Sequence, residues 1–379
     1  MSNKRVFLDN ASTTPIAPEI IDMMSEMMKS HFANPSSVHS YGRESKIVVE
    51  GARKKIAELL NTSPGSIFFT SGGTEADNMA IKCAIHDHKI THAITSRLSH
   101  HAVLFPLEDL EKEGLIKLSY VDIDKNGVIS MSHLKELLSS NPRTFVSIMH
   151  ANNEIGTIQD IKVIGDICKE HNAIFHSDTV QTMAHFPFDM QKLNVDFMAA
   201  SAHKFHGPKG VGFVYISENI RIKPLLRGGG QERNMRAGTE NIYGIAALAM
   251  AMEMAYENLE EETDYIKGLK IYMMEKLQTE LEDVQFYGKC TDMDNSLYTV
   301  LSCHFPETDI AEMLLFNLDI LGVACSGGSA CASGSSKGSH VLTEIVPESN
   351  RPGIRFSFSK YNTKEDIDFT IDKLKELFS

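Results

Sequence analysis

Short apolar runs recur through the first two thirds of the chain and predict buried strands. Each is three to five residues long and contains β-branched or aromatic residues between polar or glycine-containing segments. The seven runs cover residues 67–70, 93–95, 118–121, 145–149, 173–176, 196–199 and 211–215.

Helical periodicity separates several of these runs, for example at Ile161, Ile164, Ile167 and Cys168. Strands that alternate with helices predict parallel pairing through crossover connections, with helices covering both faces of the sheet. The seventh run follows the sixth after only a short Gly/Pro-containing turn, so we expect it to pair antiparallel. The pattern therefore predicts an α/β fold with a mostly parallel seven-stranded sheet.

The pattern changes at about residue 257. We predict a long charged helix over 266–281, strands at 284–287 and 297–301, a helix over 310–318, a Gly/Ser-rich loop, a strand at 354–358 and a final helix. We interpret this part as a smaller α/β domain formed by residues 1–12 and 257–379, beside a large domain formed by residues 13–256.

Charge and hydropathy exclude several classes of partner. The formal net charge of −13 argues against a nucleic-acid partner, because nucleic-acid-binding proteins usually present a basic surface. The N-terminus lacks an apolar signal-peptide core, and the longest apolar stretch, residues 243–252, is too short to span a bilayer. Six cysteines without CxxC spacing fit a reducing compartment. We expect a cytoplasmic protein without a membrane partner.

Lys204 points most directly to a chemistry. It ends the segment Ser201-Ala202-His203-Lys204, which follows the apolar run Phe197-Met198-Ala199-Ala200. A lysine buried at a strand end is costly unless its amine is neutralised or used covalently. A carbonyl cofactor does both, because it forms a Schiff base with the amine.

Residues 71–78, SGGTEADN, follow the first strand-like run and open a helix. Thr74 and Asp77 fit a capping box, so a well-capped helix explains the segment by itself. Two glycines and the free amides of a helix N-terminus also make a phosphate cradle. The sequence leaves both interpretations open.

Other polar residues follow other strand-like runs. Asp178, His100 and Asn153 each come after one of them, and a cap or a turn explains each residue singly. The carboxyl ends of parallel strands meet at one edge of the sheet, where ligands bind, so we expect these residues to lie with Thr74 and Lys204. A buried carboxylate at position 178 would keep a pyridine nitrogen protonated.

Residues 325–338, CSGGSACASGSSKG, have the composition of a flexible surface loop. They also place Cys331 in a polar stretch, where a thiol is exposed and reactive once deprotonated. Cys325 at the loop entrance is the rival thiol, since Cys83 and Cys168 lie on apolar helix faces. A zinc site made of Cys325, Cys331 and His340 fits no common structural spacing, so we expect no metal.

Taken together, these segments resemble the NifS/IscS-type cysteine desulfurases, pyridoxal 5'-phosphate (PLP) enzymes of fold type I in the class V aminotransferase family. The resemblance covers nearly the whole chain. It rests on LDNASTTP (8–15), NPSS (34–37), FTSGGTEADNMAIK (69–82), MHANNEIGTIQD (149–160), HSDTVQ (176–181), SAHKFHGPKGVG (201–212), GGGQERNMRAGT (228–239), SGGSAC (326–331) and IRFS (354–357).

The resemblance also implies a role for each matching residue. Lys204 would bind the cofactor covalently and act as the base at the substrate Cα. Cofactor contacts would come from Asp178 to the ring nitrogen, His100 stacked over the ring as a proton relay, Asn153 and Gln181 beside the ring oxygen, and Gly73, Thr74, Ser201 and His203 at the phosphate. Thr239 would reach the phosphate of the neighbouring subunit in a homodimer, while Asn34 and Arg355 would hold the substrate carboxylate.

The implied reaction converts L-cysteine to L-alanine. Cys331, as a thiolate, would take the sulfur and carry it as a persulfide to an acceptor protein. An iron–sulfur scaffold, to which Cys331 could lend a cluster ligand, or another sulfur-requiring pathway would be the recipient.

Some features depart from the IscS branch of the family and leave the acceptor open. Residues after Cys331 are rich in Gly, Ser and Lys, Ser99 replaces the usual Glu, and we expect no extended C-terminal tail of the IscS kind after the last helix. The alternatives are selenocysteine lyase, another fold type I activity, or a catalytically silent cofactor-binding protein. A loop thiol disfavours transamination, and Lys204, Asp178, His100 and Cys331 together disfavour a silent protein.

Overall fold

A computed structural model describes residues 4–141, 143–327, 339–347, 349 and 351–378. The helices of this part are α1 (Pro18–Ser30), α2 (Ser40–Leu59), α3 (Gly73–Asp87), α4 (His101–Lys112), α5 (Met131–Ser139), α6 (Ile161–Glu170), α7 (Ile242–Glu257), α8 (Leu259–Glu280), α9 (Leu314–Ile320), α10 (His340–Ile345) and α11 (Lys364–Phe378). The strands are β1 (Val6–Phe7), β2 (Ile67–Thr70), β3 (His92–Thr95), β4 (Lys117–Tyr120), β5 (Thr144–Ser147), β6 (Ile174–Asp178), β7 (Phe197–Ser201), β8 (Gly212–Ile216), β9 (Gln285–Phe286), β10 (Val300–His304), β11 (Val323–Ala324) and β12 (Gly353–Ser357).

A seven-stranded sheet with the order β2-β8-β7-β6-β5-β3-β4 forms the centre of the larger part. Strand β8 pairs antiparallel with both β2 and β7, and every other neighbouring pair is parallel. The six parallel strands therefore end at one edge of the sheet. The prediction of a mostly parallel sheet with an antiparallel final strand is confirmed.

Helices bury apolar side chains against both faces of this sheet. One face packs against Ile56 of α2, Ile164 of α6 and Leu248 of α7, and the other packs against Ile81 of α3 and Leu107 of α4. Burying a side chain of this size contributes about 1.5–3 kcal/mol. Because both faces are covered, the strands consist of continuous apolar runs, which made them visible in the sequence.

A third core lies in the C-terminal third of the chain. It gathers Leu269 of α8, Phe356 of β12 and Leu374 of α11 around the antiparallel sheet β12-β10-β9. Strand β1 joins this part by pairing parallel with β11, and Leu8 packs into the same core. The N-terminal residues therefore pack with the C-terminal part of the chain.

Several boundaries in this part differ from the sequence prediction; helix α8, for example, begins at Leu259 rather than at residue 266. Two other elements begin later than predicted. Strand β10 begins at Val300 rather than at residue 297, because the Leu297 amide donates to Gly156 O (2.7 Å) instead of entering a ladder. Helix α9 begins at Leu314, after a short 3-10 turn that occupies residues 311–313. In both cases the apolar run begins before the regular hydrogen bonding does.

An ion pair buried beneath β2 fixes the segment 228–239. Arg53 and Glu232 side chains are 1% and 3% exposed, and Arg53 Nη2 lies 2.7 Å from Glu232 Oε1. Glu232 Oε2 also accepts the Phe69 amide at 2.8 Å. Residues 232–234 are held in the left-handed region, with φ of 46°, 56° and 65°. Non-glycine residues adopt this conformation at a cost, so the surrounding contacts must stabilise it.

Replacing Arg53 with methionine is expected to lower the free energy of unfolding by about 3–5 kcal/mol, because Glu232 is left buried without its partner. Lys54→Met is the matched control: its amine lies 3.8 Å from Glu58 on the exposed side of the same helix, and such a pair contributes about 0–1 kcal/mol. Chemical denaturation measures both. Equal losses in the two variants would contradict this assignment.

Candidate active site

A cavity of about 240 Å³ opens at the carboxyl edge of the seven-stranded sheet. Its walls come from the ends or following turns of five parallel strands, from residues near the N-terminus and from Arg355 of β12. The lining residues are Ala11, Ser12, Gly73, Thr74, Asp77, His100, Met149, Asn153, Asp178, Val180, Gln181, Ser201, His203, Lys204 and Arg355. The structure thus brings together most of the residues that the sequence placed at this edge.

Lys204 is half-buried and lies three residues beyond β7, at the end of a 3-10 turn rather than at the strand end itself. Its Nζ donates to the backbone carbonyls of Ala11 (2.7 Å) and Ser12 (2.9 Å). These contacts hold the amine against the N-terminal segment on the wall of the cavity.

Helix α3 points its N-terminus into the cavity. The N-cap is Gly72, with φ of +149°, and no side chain caps the helix. The capping-box interpretation is therefore wrong: Thr74 lies in the first turn, and Glu75 instead accepts the Ser71 amide at 2.8 Å. The amides of this first turn have no intrahelical acceptor and can bind an anion.

Glycine at position 73 is required by close packing. A Cβ there would lie 2.4 Å from Val180 Cγ2. Ser201 and His203 line the same side of the cavity. Burial, reinforced by the nearby Lys204 and Lys209 charges, lowers the pKa of His203 to about 4, so its imidazole is neutral near pH 7.

Asp178 is the last residue of β6 and is buried. Its Oδ1 accepts the Val180 amide at 3.0 Å. Burial raises the pKa of Asp178, while His100, the Val180 amide and Lys204 act in the opposite direction. A cationic partner in the cavity would add to this opposing effect and favour the ionised carboxylate.

His100 is the N-cap of α4, and its Nδ1 accepts the Ala102 amide at 3.1 Å. Burial is the largest effect on its pKa and lowers it, with Lys204 acting in the same direction and Asp178 opposing both. A neutral ring whose Nδ1 is an acceptor carries its proton on Nε2. Nε2 is thus the nitrogen that can exchange a proton.

Arg355 reaches the cavity from the smaller part of the protein. Its Nη1 donates to Asn153 O (3.0 Å), and its Nη2 donates to Asp9 Oδ1 (2.7 Å) and Ser12 Oγ (2.8 Å). Its buried Nε has no hydrogen-bond partner among the residues that the structure describes. The guanidinium is fixed in place and retains two of its five N–H donors, one on Nε and one on Nη1.

Asn34 and Thr239 lie elsewhere. Both are exposed, and they share a separate shallow pocket of about 260 Å³ with Phe32 and Tyr243. Within one chain, Asn34 therefore does not meet Arg355 in the cavity that contains Lys204.

The two candidate thiols differ in what the structure describes. Cys331 lies outside the described residues. Cys325 is described, and burial raises its pKa to about 12, so that almost none of it is thiolate at neutral pH. Cys83 and Cys168 are buried packing residues, as predicted.

Sequence reasoning missed Asp77, which lines the cavity beside Asp178. The capping-box interpretation concealed it. The signal was present, because position 77 precedes Ala80, Ile81 and Ala84 by three, four and seven residues and shares their buried helix face. A carboxylate on an apolar stripe is a candidate functional residue.

Two further searches covered only the described residues. No group of three or more His, Cys, Asp or Glu side chains there is arranged to hold a metal ion. No helix in that part combines the length and apolarity needed to cross a membrane.

Comparisons with known proteins agree with the resemblance seen in the motifs. The family model "Aminotransferase class-V" matches residues 6–369. The "Cysteine desulfurase IscS" of Dictyoglomus turgidum is 42% identical over 99% of this chain and 94% of its own length. A solved "NIFS-LIKE PROTEIN" superposes with a TM-score of 0.90 at 36% identity over 99% of both chains. A structure titled "SspA in complex with cysteine" has a TM-score of 0.80 at 31% identity, covering 94% of this chain and 100% of its own. The chain therefore belongs to the class V aminotransferase family, among its NifS/IscS-like members.

Proposed function

We propose that this protein is a PLP-dependent cysteine desulfurase. The observation that carries the proposal is the meeting of Lys204, Asp178, His100 and Arg355 in one cavity of a chain from this family. Names of close relatives and the cysteine-bound neighbour support L-cysteine as the substrate.

The cavity fits PLP in its donors and its charges. The uncapped N-terminus of α3 suits a phosphate, together with Thr74, Ser201 and His203. At Gly73 in this first turn, a Cβ would clash with its neighbour. Asp178 suits a protonated ring nitrogen, and Asn153 and Gln181 lie within the same walls. When bound, the cofactor would condense through its aldehyde with an amine and withdraw electrons from the bonds at the substrate Cα.

The protein's own residues would then position the substrate and move protons. The Arg355 guanidinium, held by Asn153, Asp9 and Ser12, would bind the substrate carboxylate through its charge and its remaining N–H donors. Lys204 Nζ would remove the proton from Cα, and His100 Nε2 would exchange protons within the cavity.

Both flanks of the segment that contains Cys331 are attached beside the cavity. Ser326 exchanges backbone hydrogen bonds with Arg355. On the other side, the Ser339 hydroxyl donates to the buried Glu154, and His340 Nε2 donates to Ser99 O at 3.1 Å, next to His100. The chain therefore enters and leaves the segment that contains Cys331 beside the cavity, which supports Cys331 as the sulfur acceptor.

The sulfur step balances without an outside oxidant. The Cys331 thiolate attacks the substrate sulfur, an S–S bond forms, and the Cβ–S bond breaks. The carbon fragment takes up a proton and leaves as L-alanine, while the sulfur remains on Cys331 as a persulfide. An acceptor protein then receives it, and we expect this to occur in the cytoplasm.

A homodimer would give Thr239 and Asn34 a role. Both lie outside the chain's own cavity, and Phe32 in their pocket is 67% exposed, as are Val38 (88%) and Ile47 (70%) in the segment that follows Asn34. Covering this face with a second copy would bury these side chains and bring the 34/239 pocket to the partner's cofactor.

The separate cores of the larger and smaller parts also support the division into domains of residues 13–256 and of 1–12 with 257–379. The cavity lies where the two would meet, because Arg355 comes from the second of them.

The test is turnover by the full chain loaded with PLP, in the presence of a thiol reductant. We expect equal amounts of L-alanine and sulfide from L-cysteine. Parallel reactions with L-selenocysteine distinguish a desulfurase from a selenocysteine lyase. Turnover of selenocysteine alone, or transamination without sulfide, would refute the proposal.

A further inference from the structure

Two buried side chains beside the cavity take no part in the steps above. Asp77 in α3 is 1% exposed, and His176 in β6 is 0% exposed. His176 Nε2 lies 3.2 Å from Asp77 Oδ1, a close approach without hydrogen-bond alignment, and neither atom has a hydrogen-bond partner among the described residues. On the other side of the ring, His176 Nδ1 lies 2.8 Å from the Ser147 hydroxyl of β5.

Strand geometry places this pair next to Asp178. His176 and Asp178 are two residues apart on β6, so their side chains project from the same face of the sheet. Helix α3 covers that face and brings Asp77 over it. The other charged or titratable groups that face Asp178 are His100 and Lys204. Two carboxyl groups therefore share one buried wall of the cavity.

The proton content of the pair follows from this crowding. If Asp77 were ionised and His176 neutral, Asp77 would add a second negative charge beside Asp178. If both Asp77 and His176 were protonated, His176 would be a buried cation without an anionic partner. One shared proton makes the pair neutral. Burial and the Asp178 charge both raise the pKa of Asp77, and burial lowers the pKa of His176 to about 3. The proton therefore belongs on Asp77.

We propose that Asp77 is a neutral carboxylic acid that donates to His176 Nε2, while His176 Nδ1–H donates to Ser147, and that this pair positions Asp178. The proposal rests on the proposed function in one respect: Asp178 is taken to face the cofactor's ring nitrogen. Of two neighbouring carboxyls with opposed environments, one stays neutral and the other is left to ionise. Asp77 is thus a positioning residue that acts through Asp178.

Cofactor affinity of three variants tests this, measured by titrating PLP into the apoprotein. Asp77→Asn keeps a neutral donor at the same place, so its dissociation constant is expected to stay within about threefold of the parent's. Asp77→Leu leaves His176 Nε2 without a donor and is expected to weaken binding by about tenfold. Asp178→Asn removes the ionised partner of the ring and is expected to weaken binding by about a hundredfold or more.

The order of these effects decides the matter. If Asp77→Asn lost as much affinity for PLP as Asp178→Asn, Asp77 would act as an anion, and the proposal would be overturned. Equal affinities of Asp77→Leu and Asp77→Asn would mean that the donor is not used, and would overturn it too.

An infrared measurement on the unsubstituted protein does not depend on activity, on cofactor binding or on the folding of a variant. Carbon-13 labelling of aspartate identifies the carbonyl band of a protonated aspartic acid, which we expect to persist at neutral pH. If Asp77→Asn folds, this band is expected to disappear from its spectrum. Absence of the band from the parent protein would overturn the proposal even if desulfurase activity is confirmed, whereas its presence in a protein without that activity would separate the two conclusions.

Discussion

Lys204→Ala is expected to reduce turnover of L-cysteine by about a thousandfold, because the amine that moves the proton at the substrate Cα is removed. It is also expected to abolish covalent attachment of PLP. Borohydride reduction followed by peptide mass spectrometry measures attachment directly: the peptide containing residue 204 gains the cofactor's mass in the parent protein and not in the variant.

The matched control is Lys209→Ala. Lys209 belongs to the same segment but is exposed and does not line the cavity, so its loss is expected to leave attachment and turnover unchanged. Circular dichroism verifies that both variants fold. Cofactor attached to another lysine in folded Lys204→Ala protein would contradict the assignment.

The strands were predictable where the residues of a buried apolar run are also the residues that pair in the sheet. The seven strands of the main sheet lie between two helical layers, so apolar runs mark them directly. The 297–301 run shows the limit: Leu297 and Tyr298 are buried in the core without joining the ladder that begins at Val300. Helices α1 and α2 escaped prediction because exposed apolar residues such as Ile21 and Ile47 blur their periodicity.

The site was predictable where function follows strand topology. Lys204 and His100 follow parallel strands and Asp178 ends one, and such strands end at one edge, so their meeting needed no further information. Asp77 was missed because a local capping pattern explained it equally well, and only the position of β6 reveals its partner His176. Asn34 and Thr239 follow no strand of this sheet, so strand order alone could not place them.

The chemistry of a nucleophilic thiol distinguishes Cys331 from Cys325 as the residue that carries sulfur. Cys325 is half-buried beside Asp9 and Arg355, and desolvation raises its pKa to about 12, so neutral pH leaves it protonated. A thiol without such burial has a pKa of about 8.5 and is readily deprotonated in an electropositive site. The raised pKa argues against Cys325, and we propose Cys331 as the thiol that carries the sulfur.

Cys331→Ser is accordingly expected to lower sulfide and alanine production from L-cysteine by about a thousandfold, since the hydroxyl cannot accept sulfur. PLP binding is expected to remain, because the residues that we assign to the cofactor, among them Lys204 and Asp178, are unchanged. Alkylation of protein treated with L-cysteine, followed by mass spectrometry, is expected to show a persulfide on Cys331 in the parent and none in the variant.

Cys325→Ser is the control variant for Cys331→Ser. It changes a half-buried thiol to a hydroxyl of similar size, so turnover is expected to stay within about threefold while the unfolding free energy falls by about 1 kcal/mol. A persulfide found on Cys325, or desulfuration that survives in Cys331→Ser and is lost in Cys325→Ser, would assign the role to Cys325. That outcome would require the surroundings of Cys325 to change during turnover, because a thiol with a pKa near 12 is almost entirely protonated at neutral pH.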